Sequence, residues 1–387
     1  VVLYPVSLIM KGWHLLFHHV VGLDTSLAWI LSIFGLIVTV RSIIVPLSWI
    51  QYRSSRQQVN LRPVLKEIDD RYKHREDAEA GQAREDERRA AYKDNKVNMY
   101  AGCFPALVQM PFFIGLYQVL IKMARPQDGL DSATHMPIGF LNSNDVETFL
   151  NTRIFGVPMP AYVVMSPEQM EHLGTSRDAV FHFVLPMVIA AAIFTTINML
   201  FSLYRNTLTM DYESPSGIGI FRFAVVLSLI APLFPLIFGL TGPAPAAIVM
   251  YWFANNFWTM AQQLLIARRI DRLMPLSDGF VAMREKAKAD YKKRRRAKRH
   301  VKWTRRRNRL SILGAAATLR FHRIGELRSH NQQVVEEWKR AKQERKQERK
   351  EQAKRFRAAS KAASEAKRKK KEEEKAAKQS ESEESGS

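Results

Sequence analysis

A single cysteine, Cys103, in 387 residues allows no intrachain disulfide and no multi-cysteine metal site, which excludes a cysteine-bridged secreted fold. Acidic side chains are absent from five long apolar runs, residues 27–50, 103–123, 181–203, 218–240 and 246–266. Intramembrane proteolysis by paired aspartates needs carboxylates at that depth, and so do most proton relays and cation sites. Histidine is nearly absent there too: His182 lies at the edge of one run, leaving no Ser/His or His-Glu metal constellation. No inverted repeat is evident. An enzyme is therefore not expected, and no cofactor is implied.

What the sequence does have is apolar length. Each run holds about 20 residues, enough to cross ~30 Å of hydrocarbon as a helix, so an all-α membrane protein with five transmembrane helices is expected. Residues 1–267 carry 20 basic and 20 acidic side chains, whereas residues 268–387 carry 39 and 17, so the net charge of +22 belongs to the tail. Basic residues in short flanking segments stay cytoplasmic. Residues 51–98 hold 12 Lys and Arg, and the longer loop 124–180 holds 3. The N-terminus is accordingly expected outside, loop 124–180 extracytoplasmic, and the tail in the cytoplasm.

Segment 1–22 is apolar but interrupted by Lys11, His14, His18 and His19. Its polar positions follow helical spacing and leave Leu8, Leu15, Leu16 and Val20 to enter the lipid boundary. No small-residue cleavage site follows, so an interfacial amphipathic helix is expected rather than a signal peptide. Residues 23–267 form the five-span core. Within it, Val59, Leu61, Leu65, Ile68 and Tyr72 recur at roughly helical spacing before a break near Gly81 and a charged run to Lys96. That pattern predicts a cytoplasmic helical hairpin over 51–98. Loop 124–180 is Pro-rich and aperiodic, and reads as irregular. Residues 268–387 read as largely disordered or a solitary charged helix. Their basic blocks, 292–299 and 305–309, suit ribosomal RNA, with Trp303 available to stack on a base, and equally suit anionic lipid.

Polar groups at lipid depth must find a partner or line water. Arg41 is the sharpest case. It follows Leu27 by 14 residues, which places it about 21 Å down the first span. With no carboxylate in any span, it must be hydrated or hydrogen-bonded to neutral groups. Candidates are Gln109, Thr195, Thr196, Asn198, Ser228, Asn255, Asn256, Gln262 and Gln263. On a helical wheel Trp252, Asn256 and Gln263 fall within ~40°, giving the last helix a polar-aromatic face that either lines a cavity or makes ordinary interhelical hydrogen bonds.

Three ordered pieces of sequence carry a resemblance. They are Val40-Arg41-Ser42-Ile43-Ile44-Val45-Pro46-Leu47; Gly102-Cys103-Phe104-Pro105-Ala106-Leu107-Val108-Gln109-Met110-Pro111-Phe112-Phe113 after the charged hairpin; and Ala246-Ala247-Ile248-Val249-Met250-Tyr251-Trp252-Phe253-Ala254-Asn255-Asn256, followed by Gln262-Gln263. Over about residues 5–270 the chain resembles the YidC membrane-protein insertase family, in its Gram-positive, actinobacterial form. Asn98-Met99 stands where the family usually has Asn-Pro, and Asn198 where it more often has Gln. The resemblance implies a polar groove open to cytoplasm and lipid, with Arg41 as its arginine and Gln109, Asn198 and Trp252 as polar neighbours. It also implies a bacterial plasma-membrane location, nascent membrane proteins as substrates, and cooperation with the Sec translocon. An anion channel or transporter using Arg41 is the alternative.

Overall fold

The computed structural model describes residues 3–97, 104–126, 128–130, 132, 134–318 and 320–384. Cys103 and the Asn98-Met99 pair lie outside them. Among the described residues the fold is all-α apart from one two-residue-stranded hairpin. Chain contacts divide it into two units, residues 1–56, 98–210 and 215–275, and residues 57–97, 211–214 and 276–387.

The first unit is a helix bundle. Helix α1 (Leu3–Leu15) runs into a single π-helical turn, Leu16–Val20. It buries Val6 and Met10 and leaves Leu8, Leu15, Leu16 and Val20 exposed. Then come α2 (Thr25–Tyr72), whose first 32 residues belong to this unit, and α4 (Phe104–Ala124). Between them in sequence lies α3 (Ala78–Asp94), in the second unit. The apolar stripe of α2 (Trp29, Ile33, Leu36) meets Val119, Leu120 and Met123 of α4, and α1 completes that cluster with Val6 and Met10.

The segment expected to be irregular, 124–180, contains α5 (Ser143–Leu150), strands β1 (Arg153–Ile154) and β2 (Val157–Pro158), and α6 (Pro167–His172). Its helices are too short for periodicity to show, yet both open on capping boxes, Asn142 with Asp145 and Ser166 with Gln169. Phe155 and Gly156 turn the hairpin with φ of 49° and 83°, the pair of positive values that a two-residue hairpin turn of this hand requires. The segment packs firmly. Asp145 pairs with Lys11 at 2.9 Å, and Trp29 Nε1 donates to Thr148 Oγ1 at 3.0 Å.

Helix α7 (Arg177–Thr209) is followed by α8 (Pro215–Ile230) and α9 (Leu233–Thr241), so the expected span 218–240 is a helix broken at Ala231-Pro232, where proline removes a backbone donor. Helix α10 (Ala246–Leu273) closes the unit. Among the described residues, four stretches are long and apolar enough to cross a membrane: Thr25–Tyr72, Leu107–Ala124, Arg177–Thr209 and Pro215–Thr241. The fifth expected span falls on α10, whose paired Asn and Gln lower its hydropathy. Residues Ala246–Tyr251 are nonetheless all buried. The first N–H groups of α10, which have no partner within the helix, donate to loop carbonyls: Ala246 to Ala161 at 2.9 Å and Ala247 to Met159 at 3.2 Å.

In the second unit, residues 57–72 of α2 and helix α3 form a helical hairpin, held by Asp69 with Arg84 (2.8 Å) and Arg88 (2.9 Å) and by Tyr72 with Glu87 (2.8 Å). Its turn lies at residues 73–77, with Asp77 capping α3, rather than near Gly81. Gly81 has another use: a Cβ there would sit 2.3 Å from the Ala359 carbonyl oxygen. Ala359 belongs to α12 (Phe321–Glu384), which with α11 (Asp278–Ala317) makes up the tail. The tail is therefore helical in this structure and not solitary: α12 packs on both α3 and α11. Alanine and glycine permit that approach, and Arg84 lies over the Phe356 ring at 4.0 Å.

Candidate functional site

Arg41 is half-buried on α2, and its hydrogen bonds among the described residues run to α10. Its Nε and Nη2 donate to Asn255 Oδ1 at 2.9 and 2.5 Å, and the same oxygen accepts from the Tyr251 hydroxyl at 3.4 Å. An amide oxygen compensates the guanidinium's hydrogen bonding without neutralising its charge. Arg41, Gln109, Tyr251 and Asn255 line one narrow cavity with apolar walls that include Leu36, Ile37 and Phe112. Its volume of about 10 Å³ admits roughly one water.

The contact continues along both helices. Gln262 Nε2 donates to Ser48 Oγ at 3.0 Å, and Arg56 pairs with Asp271. Sequence numbers rise together on the two sides (41 with 255, 48 with 262, 56 with 271), so α2 and α10 run parallel, joined by polar rungs about two turns apart. Asp271 also accepts from Arg205 Nη1 of α7 at 2.5 Å. Burial raises the Asp271 carboxyl's pKa, but the two arginines outweigh that and hold it below its ordinary value.

The other expected residues face elsewhere. Asn198 Nδ2, on α7, donates to the Asn256 backbone carbonyl at 3.2 Å, Thr195 Oγ1 lies 3.1 Å from Asn256 Oδ1, and Asn256 Nδ2 donates to the Trp252 carbonyl at 2.9 Å. The Trp252 ring packs on Phe234 and Phe238 of α9, with centroids 5.7 and 5.8 Å away. Gln263 lies on the same side of α10 as Asn256, and its Oε1, like Asn198 Oδ1, is buried without a partner among the described residues. Of the six residues expected at the groove, then, Arg41 and Gln109 share the cavity, whereas Trp252, Asn256 and Gln263 lie on the neighbouring side of α10, about 100° around the helix, with Asn198 of α7 packed against them.

Tyr251 and Asn255 complete the cavity instead, and Asp271 closes the row of rungs. The signal that locates Asn255 and Gln262 is the doubling in Asn255-Asn256 and Gln262-Gln263. Adjacent residues differ by ~100° on a helix, so each pair supplies one side chain to α2 and one to the other side. Contacts of α7 with α10 also rise together, Thr195 with Asn256 and Arg205 with Asp271, so α2, α7 and α10 all run in one direction.

The model of a family described as 60Kd inner membrane protein matches residues 20–273. That range ends where α10 ends. A protein of Corynebacterium efficiens named membrane protein insertase YidC is 45% identical over 335 residues, 87% of this chain and 83% of its own. A relative of the same name in Corynebacterium glutamicum is 42% identical over 347 residues, covering 89% and 82%. One in Mycobacterium tuberculosis strain H37Rv is 31% identical over 303 residues, 76% of each chain.

Proposed function

The chain belongs to the YidC family of membrane protein insertases, and from that premise we propose that it inserts nascent membrane proteins through the cavity at Arg41, alone or together with the Sec translocon. It is a multi-pass protein of the bacterial membrane, and its clients are membrane proteins emerging from synthesis. The observation that carries the reading is the bond between Arg41 and a neutral amide. Paired with a carboxylate, the guanidinium would be a structural ion pair; paired with Asn255, it keeps an uncompensated positive charge beside a cavity.

A short acidic outer segment would be drawn to that charge. At an effective dielectric of ~20, two unit charges 4 Å apart attract by about 4 kcal/mol, enough to hold a client briefly without trapping it. The client's apolar part then moves into lipid, and hydrophobic partitioning drives completion. A cavity the size of one water does not pass a peptide, so insertion requires α2 and α4 to part from α10. The polar rungs suit that motion, because hydrogen bonds to Asn255 and Gln262 can exchange for bonds to water. The same-direction run of α2, α7 and α10 supports an alternating bundle in which they are the first, third and fifth spans. The basic imbalance between 51–98 and 124–180 supports an outside N-terminus and a cytoplasmic tail.

The test is insertion into vesicles of clients with acidic and with neutral outer segments. Arg41→Ala should impair the acidic client most, and Arg41→Lys should retain much of the activity because charge matters more here than fork geometry. A thiol placed at position 41 should react with aqueous reagents. Equal insertion of both clients by Arg41→Ala, or an unreactive thiol, would exclude the charged groove. Anion flux through the purified protein in liposomes, with no insertion, would favour the channel alternative.

A further inference from the structure

Helix α11 combines two properties that the insertion core does not use. Between Asp290 and Glu326 the chain has no acidic residue, while residues 292–309 hold 12 Lys and Arg. The same stretch carries large apolar side chains in the open: Trp303, Leu310 and Leu313 are 56%, 72% and 67% exposed.

The two sides of α11 divide cleanly. Thr304, Asn308 and Ala315 are buried and fall within ~40° of one another around the helix. Asn308 Nδ2 donates to Asn331 Oδ1 of α12 at 3.0 Å, so this side is the one packed on α12. Trp303, Leu310 and Leu313 fall within ~80° on the opposite side, with Arg299 and Arg306 between them. The Arg307 guanidinium lies 4.5 Å from the Trp303 ring centroid. The helix thus presents a narrow apolar stripe edged by long cations.

That chemistry selects its occupant. A nucleic-acid backbone rewards the arginines and one stacking ring but has no use for two open leucines. A bilayer surface rewards all of them, since apolar side chains enter the headgroup–acyl boundary while Arg and Lys lay their stems along it and keep their charges among anionic headgroups. We propose that this side of α11 docks on an anionic lipid surface, with Trp303, Leu310 and Leu313 as the inserting residues. The chain brings its own bilayer: only residues 274–277 separate the end of α10 from the start of α11. The proposal requires membrane residence and is independent of the insertase reading.

The full chain, with Cys103→Ser and Leu310→Cys carrying an environment-sensitive fluorophore, is reconstituted in phosphatidylcholine vesicles with and without about one third phosphatidylglycerol. Anionic vesicles should shift the emission to the blue and increase quenching by doxyl-labelled lipid on the order of fivefold over neutral ones. Adding Trp303→Ser and Leu313→Ser, with every Lys and Arg retained, should return quenching to the neutral-vesicle level. Equal accessibility to aqueous iodide in both vesicle types would overturn the proposal. So would protection that appears only when ribosomal RNA is added, an outcome that would make the face an RNA surface. Retention of full lipid quenching by the Trp303→Ser, Leu313→Ser protein would overturn the insertion of those two side chains.

Discussion

Replacing Asn255 should harm the bundle more than replacing the arginine it holds. Asn255 Oδ1 is the acceptor for both Arg41 bonds, at 2.9 and 2.5 Å, and the rest of the cavity wall is largely apolar. In the closed arrangement Asn255→Leu therefore leaves the guanidinium without its amide acceptor, and an unsatisfied buried donor costs ~1–3 kcal/mol, more when it is charged. Arg41→Leu strands much less: Asn255 keeps the Tyr251 hydroxyl at 3.4 Å, and the desolvation cost of the charge disappears with it. With ~2–4 °C of melting temperature per kcal/mol for a bundle of this size, Asn255→Leu should lower the apparent melting temperature by roughly 4–10 °C and Arg41→Leu by less than about 3 °C. The double variant should recover most of the Asn255→Leu loss, because no charge is left to strand. Thermal unfolding in lipid nanodiscs at fixed scan rate measures all three. Equal losses from the two single replacements, or losses that simply add in the double, would refute the idea that Asn255 holds Arg41.

Two further outcomes follow from titrating groups outside the spans. The His14 ring stacks 3.8 Å from Trp29, and burial lowers its pKa to about 4 although Asp145 opposes the shift. A histidine with a depressed folded pKa leaves stability intact above ~6.5 and withdraws it as pH falls from there towards 4, by up to ~3 kcal/mol; the melting temperature should show that slope, and His14→Phe should flatten it. Asp271, held below its ordinary pKa by Arg205 and Arg56, contributes above the usual carboxylate range and loses its contribution as pH falls through it. Asp271→Asn should cost ~1 kcal/mol at neutral pH, given its partial exposure, and the difference from the parent should shrink in acid; a pH-independent loss would rule out the three-way ion pair.

The helical architecture was legible because apolar runs of spanning length leave little choice, and Arg41 stood out because nothing acidic accompanied it. The partner was harder to read. A helical wheel ranks faces by composition, and α10 has two faces that are both polar and aromatic: Trp252, Asn256 and Gln263 share one, and Tyr251, Asn255, Trp258 and Gln262 share the neighbouring one, where Arg41 meets Asn255. Choosing between them needs to know which helix lies on which side, and that is a tertiary fact. The short elements of 124–180 escaped periodicity but not chemistry, since Asn142-x-x-Asp145 and Ser166-x-x-Gln169 are capping signals written in the sequence. Gly81 misled in a different way. Glycine marks chain breaks, but here it sits in the first turn of α3 and makes room for a helix nearly 280 residues later.

The rungs between α2 and α10 make segment length itself a conserved quantity in the mechanical sense. Arg41, Ser48 and Arg56 meet Asn255, Gln262 and Asp271 at sequence separations of 214, 214 and 215. Deleting one residue between Ser48 and Arg56 would turn everything beyond it by ~100° and draw it back ~1.5 Å, carrying Arg56 away from Asp271 without altering any partner's identity. Length within either helix is therefore fixed by the pairing of the rungs, whatever the connections between the helices do. Substitutions test one rung at a time, whereas an insertion or deletion inside either helix puts the whole ladder out of step.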